Sequence, residues 1–170
     1  MKVLLQKLEK ERLSLFEDLK NLDDNKLNLC NNRWSINQIL YHVWLAESSA
    51  EKYIRKKTQF PETIIKIKLS AYVRSFIFKL FLNLGFKVKA PKIVTDFPKK
   101  ITLDDLNKKW IKSRESFDSL IDFLNDTRLA NKAIFNHPAL GRLNLNLTLY
   151  FFKIHFRHHQ KQIIALKKQL

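Results

Sequence analysis

The chain is poor in residues that turn or staple a polypeptide: its 170 residues include two glycines, four prolines and one cysteine. A sandwich or barrel of many short strands needs a turn every dozen residues or so, and this composition excludes it. Cys30 stands alone, so no intramolecular disulfide and no Cys-rich zinc motif can form. Acidic residues are scarce as well, with 16 Asp and Glu against 32 Lys and Arg and a formal charge of +16. No apolar run approaches the eighteen or so uninterrupted residues of a spanning helix. The opening MKVLLQKLEKE breaks its apolar run with Lys7, Glu9 and Lys10, which does not suit a signal peptide. The expected compartment is the cytosol.

What is present reads as globular and helical. A hydrophobic fraction of 45% beside 28% charged residues suits a packed core, and the length suits one domain, 1–170, with no repeat or linker. Residues 3–22 place Val3, Leu4, Leu8, Leu15, Leu19 and Leu22 at helical spacing. Ser35 and Gln38 form a candidate capping box, with Trp34 before it able to staple onto Ile39. The stripe Ile36, Ile39, Leu40, Val43, Ala46, Ala50 and Ile54 then predicts a helix to about residue 57. Thr102 with Asp105 opens another, along Leu106, Trp110, Phe117, Leu120 and Leu124. A loop at 136–141 precedes a last helix from about Leu143 to Leu166.

Between them, residues 64–89 form an inserted basic amphipathic segment with Lys66, Lys68, Arg74, Lys79, Lys87 and Lys89 and no acidic residue. Ser70, Arg74, Lys79, Asn83 and Lys87 predict a helix with a narrow polar stripe and a broad apolar remainder, ending near Gly85. Pro91 through Pro98 reads as loop. The fold class expected is all-α, a bundle of four long helices with one inserted helix.

The five histidines carry the chemistry. His155 and His159, at i and i+4, project from one face of the last helix and can share a divalent ion that needs a third ligand. His42 lies on the flank of its helix's apolar stripe, with Gln38 one turn before it. Three neutral imidazoles and an open position make a catalytic type of site, and zinc or nickel suits such ligands. Thr148 and Gln162 lie along the same face, placed to orient water or a ligand ring. The same spacing also occurs on solvated helix faces, so metal binding and surface decoration both stay open at this level. The pair lacks the intervening Glu of the zinc-protease motif. His158 points away and is expected in solvent; His137 beside Pro138 is expected to be structural. Glu47 falls on the apolar stripe, so no general base stands beside the three rings.

Three stretches then resemble the DinB-like superfamily. Arg33-Trp34-Ser35 followed by Gln38-Ile39-Leu40 and His42 is similar to the opening of that family's second helix. His137-Pro138-Ala139-Leu140-Gly141-Arg142-Leu143 resembles the loop before its last helix, and His155 through His159 with Gln162-Ile163 resembles its H-x-x-R-H-x-x-Q-I ending. His158 departs from the pattern by replacing the family's Arg. The resemblance implies an up-down-down-up four-helix bundle with His42, His155 and His159 as metal triad. It also implies metal-dependent activity, as a hydrolase or a thiol S-transferase acting on a small substrate such as a low-molecular-weight thiol, and a possible homodimer.

Two other function classes compete. A non-catalytic basic module could bind polyanions, nucleic acid or an acidic membrane face, through its excess of cations and its thirteen phenylalanines. No nucleic-acid motif accompanies them, and most of the phenylalanines fit helical core patterns. Residues 64–89 could instead dock on a membrane or a partner, although burial in the chain's own core or in a dimer is the expectation.

Overall fold

Short polar side chains set where three of the long helices begin. Ser35 accepts from the Gln38 N–H at 3.1 Å and Gln38 Oε1 accepts from the Ser35 N–H at 3.0 Å, completing the expected capping box. Thr102 accepts from Asp105 as expected, at 3.2 Å, and Asn144 accepts from Leu147 at 2.9 Å. The computed structural model describes residues 1–30, 33–84 and 94–170. In chain order these hold α1 (Lys2–Leu19), α2 (Asp24–Leu27), α3 (Ile36–Lys57), a 3-10 turn (Pro61–Thr63), α4 (Leu69–Asn83), α5 (Leu103–Asp126), β1 (Phe135–His137), β2 (Gly141–Leu143) and α6 (Leu145–Lys167). The chain is mostly helical, with one small two-stranded sheet among the described residues.

Among the long helices, α1 packs on α5 and α6, and α3 packs on the same two. Their facing stripes bury Leu8, Leu19, Leu40, Ile54, Leu106, Trp110, Leu120, Phe152 and Phe156 almost completely. Burial of a side chain of this size is worth roughly 1.5–3 kcal/mol, so these stripes supply the main driving force. Within the core runs a charged cluster: Arg12, with no exposed surface, forks onto Glu9 and lies 4.9 Å from the Phe16 ring. Glu47 accepts from Trp110 Nε1 at 3.0 Å and pairs with Arg114 at 2.9 Å.

Three expectations are corrected. The inserted helix begins at Leu69 rather than 64: Lys66 bridges Lys132, and the Ala133 N–H donates to Ile65 O at 2.9 Å. The reason lies in Ile64-Ile65-Lys66-Ile67-Lys68, whose β-branched residues and alternating charges favour extended backbone over helix. Its expected end at Gly85 and the start of the following loop fall outside the described residues. The loop at 136–141 is the tip of a hairpin, with Phe135 opposite Leu143 and His137 opposite Gly141. Gly141 takes φ +71°, where an L side chain would be strained, and a Cβ there would press on the tip of the Arg74 guanidinium at 3.2 Å. Finally, the inserted segment is not covered by the chain's own core: α4 buries only Ala71, Ser75 and Leu82, and Phe76 is exposed. No helix among the described residues is long and apolar enough to cross a membrane.

Candidate metal centre

The stripes that build the core also aim three imidazoles at one another. The α3–α6 packing brings His42 against the last helix, where His155 and His159 stand one turn apart. His42 Nε2 lies 3.1 Å from His155 Nε2, and His159 Nε2 lies 3.1 Å from the same atom. The possible ligand atoms of all three rings lie within 4.8 Å of one another, and the rings are only 4%, 9% and 8% exposed in chain order.

Hydrogen bonds behind the rings fix which nitrogens face inward. His42 Nδ1 lies 2.9 Å from Val94 O, and a carbonyl can only accept, so that nitrogen carries the proton. His159 Nδ1 lies 2.9 Å from Gln162 Oε1, which sets the same tautomer. Both rings therefore present an Nε2 lone pair to His155 Nε2. His155 has at most one proton there and cannot satisfy two lone pairs, so at least one of the contacts opposes unshared electrons. A divalent ion removes that conflict. Nitrogens placed tetrahedrally at about 2.0–2.1 Å from one ion stand about 3.3 Å apart, close to the 3.1 Å of the His42–His155 and His155–His159 pairs. The donor set therefore fits a metal.

The electrostatics point the same way. Burial holds His159 down to about 3, reinforced by repulsion from His42. It lowers His42 against the opposing Val94 bond, and it drives His155 well below the ordinary imidazole range with help from His159 and His42. The rings are thus neutral near pH 7, the form that ligates. Trp34 covers His42 with ring centroids 5.1 Å apart, and Phe151 stacks on His155 at 5.1 Å and 21°. His155 Nδ1 is buried and has no hydrogen-bond partner among the described residues.

Around the three rings the sequence reading divides. Gln162 does orient a ring, as expected, whereas the Thr148 hydroxyl is committed to Asn144 O at 2.8 Å on its own helix. His158 is half-buried instead of solvated: its Nδ1 reaches Leu82 O at 3.3 Å and its Nε2 accepts from Gln162 Nε2 at 3.0 Å. Its spacing from Gln162 at i,i+4 was the available signal. His137 is structural, its Nδ1 accepting from the Ala139 and Leu140 N–H groups at 3.1 Å each. Glu47 faces Trp110 and Arg114 and takes no part in the centre. Val94 was missed, because a backbone carbonyl leaves no mark in side-chain spacing. No family model, curated protein or solved structure matches this chain.

Proposed function

We propose that this chain holds one divalent metal ion on His42, His155 and His159 and works as a metal-dependent enzyme, a hydrolase or a thiol S-transferase. The observation that carries the reading is the meeting of three Nε2 atoms, two of them forced by their back-side bonds to present lone pairs. No fourth His, Cys, Asp or Glu joins the cluster among the described residues, which leaves a coordination position for water or substrate, as catalytic sites do. Zinc and nickel both suit this ligand set.

A bound ion of this kind would lower the pKa of a water or thiol and supply a nucleophile near neutral pH. The chain's own part is to keep the imidazoles neutral by burial, to hold two tautomers through Val94 and Gln162, and to shield the rings with Trp34 and Phe151. The pairing of α1, α3, α5 and α6 supports an up-down-down-up bundle of the DinB-like type, and the single, exposed Cys30 supports a cytosolic setting. The small substrate, a low-molecular-weight thiol for the transferase, and the homodimer belong to the same proposal.

Elemental analysis of purified protein should find about one divalent ion per chain, lost in His42→Ala, His155→Ala or His159→Ala. A protein that stays metal-free after equilibration with micromolar zinc or nickel would sink the reading. Cobalt-loaded protein then tests the transferase alternative: a sulfur-to-metal charge-transfer band on adding a small thiol shows that a thiolate reaches the ion, as that activity requires, and its absence counts against the transferase.

A further inference from the structure

α4 turns its apolar side the wrong way for a helix that serves a core. Ala71, Ser75 and Leu82, with Phe78 half-buried beside them, face α6 and the hairpin. At 3.6 residues per turn the opposite side is the row Leu69, Val73, Phe76, Ile77, Leu80 and Leu84. These residues are exposed by 80%, 54%, 57%, 45%, 44% and 74%, and no polar residue interrupts the row. A contiguous exposed apolar strip on this scale marks an interaction surface.

Charge decides among the occupants. Between Glu62 and Asp96 the sequence has no acidic residue, but it has Lys66, Lys68, Arg74, Lys79, Lys87, Lys89 and Lys92. Lys66 and Lys68 are exposed just before the helix, and Lys79 lies on the flank of the apolar row. A second copy meeting this face through a twofold axis would bring cations against cations with no carboxylate from the same segment to pair them. An anionic bilayer offers what both features lack: apolar depth for the row and negative headgroups for the lysines. We infer that α4 is an interfacial helix that docks this protein on an anionic lipid surface, with Leu69, Val73, Phe76, Leu80 and Leu84 immersed and Lys66, Lys68 and Lys79 at the headgroups. The inference stands apart from the metal centre and needs none of its residues.

Flotation of the full chain with vesicles of phosphatidylcholine, with and without phosphatidylglycerol, tests it. Binding is expected only to the anionic vesicles, weakening as salt rises. The double variant Phe76→Glu/Leu80→Glu should abolish it with the helical circular dichroism unchanged, since both side chains are exposed. Lys66→Gln and Lys68→Gln should each weaken binding about fivefold. Failure to bind anionic vesicles at low salt would overturn the inference. Binding that survives the double variant would overturn it too. So would a dimer in sedimentation that the same variant dissociates while vesicles recruit nothing, which would name a second copy as the occupant.

Discussion

Gln162→Leu offers the sharpest test of how the centre is set up, because it touches no metal-facing nitrogen. The amide bridges two rings with one consistent polarity. His159 Nδ1–H donates to its Oε1 at 2.9 Å, its Nε2 donates to His158 Nε2 at 3.0 Å, and His158 Nδ1 donates onward to Leu82 O at 3.3 Å. Leucine has a similar volume and keeps the helix, but it accepts nothing. In the metal-free variant His159 can move its proton to Nε2; binding an ion forces it back to Nδ1, buried and without an acceptor. Leaving a buried donor unsatisfied costs about 1–3 kcal/mol. At about 1.4 kcal/mol per decade, that is roughly fivefold to 150-fold in affinity. The range brackets the 10–100-fold typical of outer partners of metal ligands.

Competition titration of zinc against a chromophoric chelator measures the change directly. Gln162→Glu is the control: its carboxylate still accepts from Nδ1, with a charge-assisted bond, so affinity should hold or rise even though the His158 link is lost. His159→Ala, which removes a ligand, should cost more than either. A Leu variant that binds as tightly as the parent would refute the tautomer argument. A Glu variant as weak as the Leu variant would show that packing, rather than the proton's position, was at stake.

Three further outcomes follow from the core and the caps. Glu47→Ala leaves Arg114 buried without its closest carboxylate and should destabilise by about 3–5 kcal/mol in urea unfolding, whereas a loss under 1 kcal/mol would mean that Glu9 suffices. Ser35→Ala removes one half of the capping box and should cost about 1 kcal/mol by the same assay. Burial pushes His137 down to about 4 from an ordinary 6.5, so the folded state resists a proton that the unfolded chain accepts. Stability present above pH 6.5 is therefore lost as pH falls toward about 4, by at most about 1.4 kcal/mol per pH unit for this ring. His137→Asn, whose side-chain oxygen can still cap the turn, should flatten that part of the pH–stability curve; an unchanged slope would remove His137 as its source.

The features legible in the sequence are those written in side-chain spacing. The capping box at Ser35, the Thr102 cap, the apolar stripes of α3 and α5 and the i,i+4 relation of His155 and His159 all follow from helical period, and the structure contains each of them. The convergence of His42 with that pair was legible only through resemblance, since spacing cannot say which helices touch. Hidden altogether were contributions of the backbone: Val94 O, 52 positions from His42, and Leu82 O beneath His158. Residues 64–68 were misassigned because a long apolar segment was read with one period throughout, although its first five residues alternate and Lys66 bridges Lys132. α4 shows the deeper limit. Periodicity reports that an apolar face exists, and the usual inference is that the protein itself covers it. Here a small buried face holds the helix to α6, and the larger apolar face is turned outward. The cations were then the informative part of the pattern. Seven cations without one acid are costly to bury, so their presence around an apolar stretch argues against a helix covered on every side.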